Sequence, residues 1–253
     1  MKPKTTSDIA LLAQYEQESL NAYLQTDEAK LADAVWAVLA KGIQPKTEEQ
    51  TIFYGYHTQV SAAALLATTS LMRQHTVQAY AMLRNACENI CNALFGLLDQ
   101  DNAIAAFKKE GADKRAESDE HYKSAAYAWI KTAEPDYSNY LQDMKKTLFH
   151  AIGAHSSVAG VAQNFTIEGN TFSASYLDTV APEMSMTNLL MAVDFMLRYL
   201  EVIIKYADTA GLSTPVDLPA KVAALRAELE RLKVKNEPAF RAYQKRMNSR
   251  RPN

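Results

Sequence analysis

The stretch YLQDMKKTLFHAIGAHSSVAGVAQNFTIEGNTFSASY, Tyr140–Tyr176, decides how the chain is read. It opens as an amphipathic helix and then loses the helical period in NFTIEGNTFSASY, which reads as a small β-hairpin. At about 100° per residue, Leu141, Met144, Leu148, Ala151, Ile152, Val158, Ala159 and Ala162 gather in one apolar arc with His155 near its middle. His150 falls nearly opposite, beside Asp143, Lys146 and Ser157. The two histidines therefore do not form a pair on one face. His155 is the inward one, either a core histidine bonded to a neighbouring helix or the centre of a site.

Outward from this stretch the chain reads as helical. Ser7 or Asp8 caps a first helix to about Tyr23, and Thr26 or Asp27 caps a second that Gly42 ends and Pro45 keeps from resuming. Thr47-Glu-Glu-Gln50 has the form of a capping box before a long helix to about Arg73. Its Ala62, Ala63, Ala64 and Ala67 permit close helix approach, and His57 has no acidic neighbour three or four residues on, so it is read as packing or surface. From Thr76 to Asp99 the pattern is clearest. Leu83, Cys87, Ile90, Leu94 and Leu97 make a core stripe, with Asn85, Glu88, Asn89 and Asn92 on the other side and Arg84 one turn before Glu88.

Residues 101 to 131 continue as helix with a break or bend near Gly111, and the charged run KKEGADKRAESDEH reads as solvent-facing. Pro135 is expected to end that element and Asp136 to cap the next. After the hairpin, Ala181-Pro182 marks the entry to a long Met-rich helix to Ala207, with Leu189, Leu190, Val193, Leu197, Leu200 and Ile204 toward the core. A last helix covers about Leu218 to Lys235, and Pro238 separates a ragged tail.

The expectation is an all-α, up-and-down bundle with a β-hairpin insertion near residues 163–176. It divides into an N-terminal helical hairpin (1–44) packed on the main bundle (45–236) and a basic C-terminal tail (237–253).

Composition limits the function. Hydrophobic content of 48% with 22% charged residues marks an ordered chain. The most apolar run, LLMAVDFMLRYLEVII, contains Asp194, Arg198 and Glu201, so no membrane span is expected and the cytoplasm is the default location. Cys87 and Cys91 lack the spacing of a redox or metal pair and read as reduced packing thiols. From Lys221 to Asn253 ten Lys and Arg face three Glu, giving that end +7 and the rest −9 within a net −2. HExxH, GxSxG and P-loop motifs are missing, as is the Glu-x-x-His of di-iron bundles, so neither metal nor cofactor is expected. The remaining chemistry lies in Arg84, Glu88 and His155 as catalytic candidates, with Tyr140, His150, Ser156 and Asn92 as binding candidates. A histidine titrating near neutrality beside an arginine that holds phosphate could cleave RNA; the same atoms could form a structural network.

The Arg-x-x-x-Glu helix LRNACENICNALFGLLD, followed by the histidine-containing turn LFHAIGAHSSVAG, a non-helical insert and another long helix, resembles an uncharacterised prokaryotic branch of the HEPN-like helical proteins over about Tyr54 to Tyr206. The resemblance implies a helical bundle, frequent dimers, and, for many members, metal-independent RNA cleavage in toxin-antitoxin or antiviral systems. Their motif places His four to six residues after Arg. Here Arg73 meets His75 too soon, and Arg84 has no later His in its helix. A HEPN-like ribonuclease would therefore need Arg84 and His155 to meet from different helices, with Glu88 orienting the histidine. Three functions follow as expectations: a noncatalytic helical interaction or defence-associated protein, such a ribonuclease, or a small-ligand-binding regulatory bundle. The partners to consider are a second copy in a homodimer, another protein, or RNA.

Overall fold

The computed structural model describes residues 8–112, 119–146, 165–168, 171–174 and 182–249. The described chain is overwhelmingly helical: α1 (Asp8–Leu24), α2 (Asp27–Lys41), α3 (Thr51–Met72), α4 (Thr76–Leu98), α5 (Gln100–Ala112), α6 (Asp119–Ala133), α7 (Pro135–Met144), α8 (Pro182–Tyr206) and α9 (Leu218–Ser249). Strands β1 (Phe165–Glu168) and β2 (Thr171–Ala174) pair antiparallel, Phe165 opposite Ala174 and Glu168 opposite Thr171.

The centre is the α3–α4 pair. Ala63, Ala64 and Ala67 on α3 and Ala79, Leu83, Ala86 and Ile90 on α4 are all buried. Small side chains let two helix backbones approach, and the larger residues fill the space around them. The turn between the helices places Gln74 at φ 62, in the left-handed region. Near the far end Gly96 is needed for contact: a Cβ there would lie 3.1 Å from the backbone nitrogen of Phe53 and from the Tyr122 hydroxyl.

Around this pair α2, α6, α8 and α9 complete the core. Thr26 caps α2 as its residue type predicts, its hydroxyl accepting from the Ala29 amide at 3.2 Å. Gly42 follows the last turn of α2 and donates its amide to the Val38 carbonyl. The buried stripe of α9 runs Leu218, Val222, Leu229 and Leu232, with Leu225 partly buried, a spacing that alternates three and four residues against α8. Leu232 is its last buried residue among the described side chains.

Several local expectations are corrected. Thr47 makes no side-chain cap; a short 3₁₀ turn, Glu48–Gln50, precedes α3. Gln50 reaches back one residue past Thr47, so the reciprocal pair of a capping box is not made. Its amide accepts from the Lys46 backbone at 2.7 Å and donates to the Ala210 carbonyl at 2.7 Å, stitching two loops. Those loops also exchange backbone hydrogen bonds between Gln44 and Ser213, both at 3.1 Å. Beside them Gly211 takes φ +65, which an L side chain adopts only with strain.

Pro135 begins α7 rather than ending the preceding element. At the first helical position its missing N–H costs nothing, and Glu134 occupies the cap position without a side-chain cap bond. Pro238 does not separate a tail either, because α9 continues through it to Ser249. The amide it removes would have bonded the carbonyl of Val234, a residue 71% exposed, so water can satisfy that carbonyl. Among the described residues no helix is long and apolar enough to cross a membrane.

Candidate functional site

Arg84 and Glu88 lie one turn apart on α4, with the guanidinium Nε 3.8 Å from Glu88 Oε1. That is the weakest of three contacts at this carboxylate. Lys123 on α6 reaches Oε2 at 2.8 Å, and Lys145, directly after α7, reaches Oε1 at 2.8 Å. The Lys145 ammonium also donates to the Tyr127 hydroxyl at 3.2 Å and lies over that ring. One carboxylate thus ties together α4, α6 and the end of α7.

Partial burial favours the neutral acid at Glu88, but the two lysine hydrogen bonds and their charges outweigh it, and its pKa falls below the usual carboxylate value. A charged carboxylate saturated by two ammonium groups is a poor proton acceptor. Behind it, Cys87, Cys91, Tyr127, Ser138 and Lys145 surround a space of only about 10 Å³, the scale of a single water. Burial pushes the Cys91 thiol up to about 12 and raises Cys87 as well. Neither is a thiolate near neutral pH, so neither is a poised nucleophile.

Two of the other candidates serve packing. Asn92, expected on the polar side of α4, is only 8% exposed. Tyr122 of α6 covers that side, its hydroxyl donating to the Asn92 backbone carbonyl at 3.1 Å, while Asn92 Oδ1 is buried without a hydrogen-bond partner among the described residues. Tyr140 on α7 stacks with Tyr137 and packs against Phe195, and the Arg198 guanidinium of α8 lies 4.6 Å from its ring centroid. Its aromatic contacts join α7 to α8 rather than to the Glu88 cluster. His150, His155 and Ser156 lie outside the described residues, so the approach of His155 to Arg84 is not among the geometry.

The inward histidine that the described residues do contain is His57 on α3. It is 2% exposed, with Nδ1 3.0 Å from the Tyr199 hydroxyl and Nε2 2.8 Å from the Leu39 carbonyl. The carbonyl is an acceptor only, so Nε2 carries the proton and Nδ1 accepts from Tyr199. Burial lowers the pKa to about 4 against the smaller upward effect of the Leu39 bond, so the ring is neutral near pH 7. The expectation of packing or surface resolves to packing. Local spacing could not have found it, since its partners lie 18 and 142 residues away.

A third polar centre holds α9 to α8. Asp194, with 15% of its side chain exposed, pairs with Arg198 at 3.0 Å, Lys233 at 3.3 Å and, most closely, Arg226. Arg226 also forks onto both oxygens of Glu201 at 2.8 and 3.1 Å. Burial raises the Asp194 pKa, but the cations around it win and it stays below its ordinary value. In the sequence Asp194, Arg198 and Glu201 mark only a broken apolar run; their meeting with Arg226 depends on the return of α9.

Among the described residues no three His, Cys, Asp or Glu side chains converge as metal ligands. Scanned against models of known families, curated proteins and solved structures, the chain matches none.

Proposed function

We propose that this chain is a noncatalytic helical interaction protein whose internal polar clusters fix how its helices pack. The observation that supports this reading best is the use made of Glu88: two lysines from other elements at 2.8 Å leave it neither a free base nor free to orient a histidine. Asp194 and His57 are spent in the same way, on α8–α9 and on α2–α3–α8 contacts. The defence-associated setting implied by the HEPN-like resemblance is a context for such a protein and adds no chemistry to it.

The alternative of a ribonuclease keeps one specific support. Arg84 contacts Glu88 only at 3.8 Å and retains 31% side-chain exposure, so its guanidinium has capacity for a phosphate. Purified protein incubated with structured and single-stranded RNA, beside Arg84→Ala and His155→Ala variants, separates the two. The expected result is no cleavage that depends on either side chain. Cleavage lost in both variants at unchanged stability overturns the noncatalytic reading.

A further inference from the structure

Glu88 is one carboxylate among three cations. Arg84 and Lys145 share its Oε1, at 3.8 and 2.8 Å, and Lys123 holds Oε2 at 2.8 Å. None of the three pairs with a second acid among the described residues, so two positive charges of the cluster are answered by no carboxylate of the chain. The Asp194 cluster differs in this respect, because Glu201 and Glu230 join Asp194 in balancing Arg198, Arg226 and Lys233.

Hydrogen-bond donors are left over as well as charge. The Arg84 side chain makes no hydrogen bond among the described residues and approaches Glu88 through Nε, which leaves the two terminal nitrogens of its fork open. An ammonium has three N–H donors; Lys123 gives one to Glu88, and Lys145 gives one to Glu88 and one to the Tyr127 hydroxyl. The side chains of Arg84, Lys123 and Lys145 are 31%, 42% and 22% exposed, so solvent reaches all three. Because they surround one carboxylate, their nitrogens lie within the span of a single small oxyanion. They come from α4, α6 and the end of α7, and Glu88 gathers them before any ligand arrives.

We infer that Arg84, Lys123 and Lys145 bind the phosphate monoester group of a small molecule. Such a group carries between about one and a half and two negative charges near neutral pH and offers three strong acceptor oxygens, which answers the two surplus charges and the open donors together. A phosphodiester carries one charge per group and strings its charges along a chain, for which cations in a row are the complement; here they converge on a point. The ligand meets one like charge, Glu88, against three cations, and Glu88 acts on it as a positioning residue. The inference goes beyond the interaction-protein reading and does not depend on it.

Isothermal titration of the full chain with glucose 6-phosphate, in phosphate-free buffer at low salt, tests this. The expected result is one-to-one binding with Kd of about 1 mM or tighter, weakening as salt rises, with no binding of glucose and with displacement by inorganic phosphate. Arg84→Ala and Lys123→Ala are each expected to weaken binding at least tenfold with unchanged circular dichroism, and Arg84→Lys, which keeps the charge and loses the fork, to fall between Arg84→Ala and the wild type. An RNA oligonucleotide with hydroxyl ends, supplied at equal phosphate concentration, is expected not to displace the sugar phosphate. Weaker binding than this or none, binding indifferent to either alanine variant, or displacement by the RNA as readily as by inorganic phosphate overturns the proposal.

Discussion

His57 and Glu88 are both polar groups placed between helices, yet they hold the bundle by opposite means. His57 is sealed, neutral and satisfied by two partners, one a backbone carbonyl and one a buried tyrosine. Glu88 keeps a quarter of its side chain exposed and holds its charge with two lysines and, more distantly, an arginine. A sealed neutral group depends on every partner being present and is insensitive to salt. A half-open charged group tolerates the loss of one partner because water and the remaining cations take up the slack.

Truncating each group should expose that contrast most strongly at His57. His57→Ala leaves the Leu39 carbonyl and the Tyr199 hydroxyl unpaired around a cavity and should cost about 3 kcal/mol in denaturant unfolding at pH 7. Acid titration probes the same group next. Its folded pKa of about 4 lies below the ordinary histidine value of 6.5, so the unfolded chain binds the proton first as pH falls. Stability from this source is present above about pH 6.5 and declines down to about pH 4, a total of roughly 3 kcal/mol. In His57→Gln that limb should flatten between those values, and an unchanged slope would assign the acid sensitivity elsewhere.

Glu88→Gln should have a smaller effect, about 1 to 2 kcal/mol, measured at low salt and shrinking in high salt. Its depressed carboxylate pKa gives a limb of the same sign over a more acidic window: this stability is present above the ordinary carboxylate value and lost as pH falls through the lower folded one. The His57→Gln background isolates it, because the histidine limb has by then been removed. Arg84→Ala should change least, under about 0.5 kcal/mol, since an i,i+4 pair at 3.8 Å adds little to a carboxylate already held twice. A larger loss would make Arg84 a full member of the clamp.

The same contrast separates what the sequence reveals from what it conceals. The α4 stripe from Leu83 to Leu97 is legible because a single periodicity marks a single buried face, and all five expected positions are buried. The Thr26 cap is legible because its partner lies three residues away. His57 is not, because the Leu39 carbonyl and Tyr199 come to it only through the packing of α2 and α8. Lys123 lies just past the charged run read as solvated, and its hydrogen bond to Glu88, 35 residues away, has no local signature. Gln50 fits the spacing of a capping box, but its side chain takes the Lys46 amide instead of that of Thr47 and a tertiary bond to the Ala210 carbonyl, 160 residues on, which has no local signature. Asn92 shows that a polar stripe on a helix can be a covered stripe. The candidates His150, His155 and Ser156 fall outside the described residues, which leaves Arg84, Glu88, Asn92 and Tyr140 as the part of the candidate site placed by structure.

The stitch between the α2–α3 and α8–α9 loops, made by Gln44, Ser213, Gln50 and Ala210, joins points of the chain that α3–α4 pairing does not bring together. Local helix hairpins can form before it closes. In amide hydrogen exchange the Gln44 and Ser213 protons should therefore behave as one opening unit, exposed together whenever α9 detaches from the bundle, even though they sit 169 positions apart.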